Sequence, residues 1–168
     1  MAESTKPKSG LLRTILITSI LLAGIFVVLY FLEDNIAKLF GGLSNKIVVG
    51  LMLFALWVSA GSAVRTIDRI NRSTPFWKLL LAGVGTAALG AALFNAFLLI
   101  FPKVSKSQDT FEIAGAGGGM ILVMAGIGFI ASVLAMINAK VNNRLLGNLL
   151  EMAVIAACIG GFLYIATK

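Results

Sequence analysis

Apolar residues come in long blocks along this chain, separated by short polar connections. A helix needs about twenty apolar residues, at 1.5 Å each, to cross roughly 30 Å of hydrocarbon. Blocks of that kind occur at approximately 11–32, 47–64, 76–101, 113–138 and 145–166. The pattern predicts an all-α protein, an integral membrane helical bundle of five transmembrane helices forming a single domain over residues 11–168. Residues 1–10 precede it as a cytoplasmic tail.

The first block follows Lys6, Lys8 and Arg13, as a secretory signal would, but its apolar run from Ile15 to Leu32 is too long for one. No small-x-small cleavage site lies before Glu33 and Asp34, so it is expected to remain as an anchor, with the mature chain starting near Met1.

Composition strengthens the membrane reading. Hydrophobic residues make up 59% of the chain and charged residues 12%. A small water-soluble domain has too much surface to be covered by so few charges. The solvent of the fold is therefore lipid.

Orientation follows from where lysine and arginine fall, because cytoplasmic loops retain positive charge. Lys6, Lys8, Arg13, Arg65, Arg69, Arg72, Lys78, Lys140 and Arg144 lie on the N-terminal side of the membrane; Lys38, Lys46, Lys103, Lys106 and Lys168 lie opposite. All the arginines fall in the first group. The expected placement is the cytoplasmic (inner) membrane, with the N-terminus in the cytoplasm and the C-terminus outside. The net charge of +7 then reflects topology and some attraction to anionic headgroups, and no nucleic-acid partner is implied.

The connections carry weaker signals. Glu33 to Phe40 places Ile36, Leu39 and Phe40 at helical spacing, which suits either a segment lying flat on the outer surface or a plain connector touching helix ends. The loop at 102–112 opens with Pro102 and reads as exposed. In Asn71-Arg72-Ser73-Thr74-Pro75, Ser73 or Thr74 is a candidate N-cap and Pro75 a first helical residue, with Trp77 in the headgroup layer.

Helices in lipid associate through close approach at small residues and through polar side-chain bonds. The third block carries Gly83, Ala87, Ala91 and Asn95 in one row, beside Thr86 and Gly90. The fourth has the tract Ala114 to Gly119, then Ala125, Gly128, Ser132 and Ala135; the fifth has Ala153, Ala157 and Gly161, next to Ala156 and Gly160; the second has Ala55, Ser59 and Ala63. Helices two to five are therefore expected to form the close-packed bundle, with helix one at its periphery. The tract Gly115 to Gly119 could also unwind to expose carbonyls to an ion, although it lies near a helix mouth, where transporters do not place such sites.

Two polar residues stand out within the blocks. Only fifteen residues, about 22 Å of helix, separate Glu151 from Thr167, so Glu151 must sit below the inner interface. It should snorkel, be protonated, gain from the positive end of its own helix, or pair with Lys140, Arg144 or Arg72. Asn95 lies deep enough to need an interhelical partner. Asn138, Asn142, Asn143 and Asn148 suit capping and headgroup contacts around the turn between helices four and five. Cys158 and the methionines read as apolar filler.

Catalytic chemistry finds no foothold. Histidine is absent and Cys158 is the single cysteine, which removes His-dependent acid–base centres, His-ligated metal or haem, CxxC redox pairs and an internal disulfide. There is no intramembrane Asp pair, no G-x-S-x-G and no Gly-rich phosphate cradle. The chain is not expected to be an enzyme or to carry a cofactor or metal. Two functions remain: a structural or assembly subunit, as a homo-oligomer or within a larger membrane-protein complex, or a small oligomeric channel or transporter with Glu151 and Asn95 near its pathway. Sparse intramembrane polarity and the absence of an internal repeat favour the first.

Overall fold

A computed structural model describes residues 10–101, 110–140 and 144–166. The described residues form α1 (Gly10–Phe40), a short 3-10 turn (Gly41–Leu43), α2 (Ser44–Ile70), α3 (Phe76–Ile100), α4 (Thr110–Lys140) and α5 (Arg144–Ala166). The fold is all-α. Helices α1 to α4 are long and apolar enough to cross a membrane, whereas the apolar stretch found in α5 is shorter, Leu145–Ala157. By the length and hydropathy of these helices, the chain is a multi-pass membrane protein.

Several helices run past the ends of their apolar blocks. Glu33 to Phe40 is neither a separate surface segment nor an irregular connector: it is the last two turns of α1, and the chain then reverses through the 3-10 turn, where Gly41 takes φ 59°. Helix α2 begins three residues before its block and continues six residues beyond Val64. Leaving hydrocarbon does not end a helix, and here Val64 and Ile67 stay buried on the inward face while Arg69 turns outward. The helix stops at Asn71, whose side-chain Oδ1 accepts bonds from the Ser73 backbone N–H and hydroxyl. The Thr74 hydroxyl donates to the Asn71 carbonyl. Neither hydroxyl caps α3, whose N-cap position is Pro75, not the first helical residue. The sequence-based N-cap assignment is therefore corrected: both hydroxyls close the turn behind them. The exposed loop expected at 102–112 lies outside the described residues up to 109, and α4 is already helical from Thr110.

The packing order also differs from expectation. α3 is the central helix, with Gly83, Thr86, Ala87, Gly90, Ala91 and Asn95 all buried. Gly90 accommodates Leu22 of α1, and Gly83 faces Gly128 and Ser132 of α4. A core of Leu22, Phe26, Leu53, Leu56, Phe94 and Met124 joins α1 to α4, with the Phe26 and Phe94 rings edge to face at 5.7 Å. Toward the N-terminal end of α1, Val64, Ile67, Leu79, Ala82, Ala135 and Met136 form a second cluster, against which Leu11 and Ile15 pack.

Helix α1 exposes most of its apolar surface, yet it is docked along α2 and α3. Among the described residues, those of α5 are the least embedded. Ala153, Ala156, Ala157, Gly160 and Gly161 are all exposed. Among the described residues, Ala157 and Gly161, expected to pack against other helices, are exposed, since small residues permit close approach but do not supply the partner.

Candidate functional site

The densest polar cluster joins α2, α4 and α5. Trp57, Gly61 and Arg65 recur every four residues and so share one face of α2; Gly147 and Glu151 do the same on α5. Glu151 is 8% exposed. Arg65 Nη1 donates to both its oxygens, at 3.0 Å to Oε1 and 2.9 Å to Oε2. Asn138 of α4 donates from Nδ2 to Glu151 Oε2 and, at 3.2 Å, to Asn148 Oδ1. Two glycines make the room. A Cβ on Gly61 would stand 3.3 Å from Arg65 Nη2 and 3.5 Å from Glu151 Oε1, and one on Gly147 would stand 1.9 Å from Asn138 Oδ1.

This arrangement resolves the position of Glu151 differently from the sequence reading. Among the described side chains its cation is Arg65, which the sequence reading did not name for this role; the side chains of Lys140 and Arg144 lie outside the described ones. Nor does the start of α5 account for it: Glu151 lies seven residues after Arg144, and the helix dipole acts over about the first turn. Arg65 remains 34% exposed, so the guanidinium reaches from the outer surface of the cluster inward to a covered carboxylate. Such a pair is weak evidence of net stability, because desolvation opposes attraction, but removing one partner leaves a buried charge. Asn138 does not act as a cap; it ties α4 to the same carboxylate. Asn142 and Asn143 lie outside the described residues, and so does the side chain of Cys158.

Asn95 has a different environment. It is 8% exposed and lies against Gly117 of α4, where a Cβ would come 1.0 Å from Asn95 Nδ2. The expected interhelical bond is not fully made: Oδ1 has no hydrogen-bond partner. Gly117 belongs to the glycine tract, which stays helical rather than unwinding. Of its neighbours, Gly115, Gly118 and Gly119 face open space. Asn95 is far from the Glu151 cluster, since the two lie at opposite ends of the α3–α4 seam, Asn95 beside Gly117 and Glu151 beside Asn138.

Hydroxyls supply further polar contacts. Thr18 Oγ1 and Thr86 Oγ1 are 2.9 Å apart across the α1–α3 contact, and the Ser19 hydroxyl donates to the Thr86 carbonyl at 3.3 Å. Ser132 donates to the Gly128 carbonyl at 2.6 Å, one turn earlier in its own helix. On the same face of α2 as Gly61 and Arg65, Trp57 is buried among Ala60, Ala131, Val154 and Ile155, and its indole N–H has no acceptor.

The sequence reading missed Arg65, Gly61 and Gly147 as members of one cluster. A signal was present: in each helix a glycine stands four residues before the charged residue. Among the described residues, no group of three His, Cys, Asp or Glu side chains could hold a metal ion. No family model, no curated protein and no solved structure matches the chain.

Proposed function

We propose that the chain is a non-catalytic integral protein of the cytoplasmic (inner) membrane that serves as a structural or assembly subunit of a membrane complex. The observation that carries this reading is where the polar side chains within the helices are engaged. Thr18, Ser19, Thr86, Ser132 and Glu151 are all bonded inside the chain. A conduction route needs a line of polar groups that a permeant can reach, and internal pairing removes most of them. The uncovered small residues of α5 offer in turn a face that a neighbouring helix could approach closely. In this reading α5, at 23 residues about 34 Å long, is the fifth span, with the N-terminus cytoplasmic and the C-terminus outside.

The unpartnered Asn95 Oδ1 favours the second reading, a small oligomeric channel or transporter with Asn95 and Glu151 near its pathway. Purification in mild detergent and reconstitution into liposomes separate the two. The assembly reading expects a stable co-purifying protein or oligomer and ion and proton permeability no greater than that of protein-free liposomes. Flux above that background that Glu151→Gln or Asn95→Ala abolishes would overturn it.

A further inference from the structure

One exposed face of α2 changes character along its length. Leu51, Phe54, Val58, Ser62, Thr66 and Arg69 follow one another at three- and four-residue spacing, so they share a face, and all of them are exposed. The face is turned away from the core: Ile67, buried in a cluster with Leu79 of α3, lies two residues and so about 200° around the helix from Arg69. Thr66 lies about 4–5 Å and Ser62 about 10 Å deeper along the helix axis than Arg69. Elsewhere Thr14, Thr18 and Ser132 donate to the carbonyl one turn earlier in their own helices. Among the described residues, neither the Ser62 nor the Thr66 hydroxyl makes a hydrogen bond, and Arg69 makes no ion pair. Polar groups at membrane depth need acceptors, and on an exposed face these come from outside the chain.

We infer that this face of α2 is a binding site for an anionic phospholipid. Arg69 takes the headgroup phosphate, the Thr66 and Ser62 hydroxyls donate to oxygens of the glycerol esters beneath it, and an acyl chain lies along Val58, Phe54 and Leu51. The order of cation, hydroxyls and apolar side chains down the helix repeats the order of groups down a phospholipid. Charge is complementary too: the end of α2 and the start of α3 carry Arg69, Arg72 and Lys78 against Asp68, an excess that suits an anionic leaflet. A partner helix fits less well, because Leu51, Phe54 and Val58 are bulky and hold another backbone at a distance. Gly61, the small residue nearby, is turned toward Arg65 and Glu151. Lipid occupancy of this face requires that α2 spans a membrane; it needs neither the assembly nor the conduction reading.

The test titrates the full chain in mild detergent with dioleoylphosphatidylglycerol or dioleoylphosphatidylcholine and follows the first bound lipid by native mass spectrometry. Wild type is expected to bind the anionic lipid more tightly. Arg69→Gln should weaken that binding about fivefold, the ordinary effect of one basic residue beside an anionic headgroup, and should change phosphatidylcholine less. Ser62→Ala/Thr66→Val should weaken both lipids by about threefold or more, since the esters are common to them. Lys78→Gln removes the same charge at the same end of the bundle but from α3, which packs on the opposite side of α2, and should leave the first lipid in place. Matching circular dichroism spectra check that the variants, all at surface positions, keep the fold. Equal affinity of wild type for the two lipids overturns the inference. So does a loss in Lys78→Gln as large as in Arg69→Gln, which would mean diffuse attraction without a site. A hydroxyl double variant that binds both lipids as wild type does overturns it as well, and so does a co-purifying protein that Arg69→Gln releases, which would give the face to a partner helix.

Discussion

Gly128 is the sharpest probe of the α3–α4 seam. In Gly128→Ala the new methyl would lie 2.6 Å from the Ala87 Cβ and 2.9 Å from the Gly83 carbonyl oxygen. Carbon atoms are comfortable at about 3.5–4.0 Å, so the helices must part by roughly 1 Å. The two nearest atoms belong to a backbone and to a Cβ, neither of which can rotate away. A gap of about that size forfeits a quarter to a half of each contact well along the seam, and overpacking costs about 1–3 kcal/mol. Gly126→Ala is the matched control, since it lies two residues away in the same helix with nothing within 4 Å of its Cβ position. Both changes replace a mid-helix glycine by alanine, so the gain in helix propensity, up to about 1 kcal/mol, cancels in the comparison. Gly128→Ala should therefore be less stable than Gly126→Ala by about 1–3 kcal/mol. Reversible unfolding by sodium dodecyl sulfate in mixed micelles, followed by circular dichroism, measures the difference. A difference below about 0.5 kcal/mol, the range of ordinary surface changes, would refute the close approach of α3 and α4 at this level.

Two further outcomes follow from the same seams. Gly117→Ala is expected to destabilise strongly, because its Cβ would collide with the Asn95 amide, but to be tolerated in an Asn95→Ala background; a thermal-unfolding cycle should give a coupling of about 0.5–3 kcal/mol, and additive effects would contradict the contact. Thr86→Val removes the hydroxyl partner of Thr18 and leaves the Thr86 carbonyl to Ser19, so detergent unfolding should show a loss of only about 0.6 kcal/mol, with Thr18→Val adding almost nothing to it.

The legible part of the fold was the part that lipid imposes. Hydropathy alone marks the four long helices, and the rows Gly83/Ala87/Ala91 and Thr86/Gly90 mark α3 as a helix approached from two sides. Ala157 and Gly161 show the limit of the same logic: both are exposed among the described residues, since a face of small residues states how near a neighbour can come and is silent about whether this chain provides one. Helix ends were misread where charge was taken as the end of a helix: Arg65 to Ile70 continue α2 because Ile67 still has an inner surface to cover. The Glu151 cluster was half visible. Glu151 had to be beneath the interface and had to find a cation, but Arg65 is 86 residues away in sequence, and only the adjacency of α2 and α5 brings the two together. Asn95 was recognised as buried, while its orphan oxygen depends on which backbone stands opposite, a tertiary fact that no local pattern encodes.

The chain has two indole rings, and the fold treats them oppositely. Trp77 is exposed, with the Lys78 ammonium 5.3 Å from the centre of its ring. Trp57 is shut into an apolar wall whose far side is α5, and its N–H meets no acceptor. With Trp77 replaced by phenylalanine, the protein would carry its own optical gauge of that wall, a single emitter whose colour and quenching by labelled lipid register whatever comes to stand where Val154 and Ile155 now do.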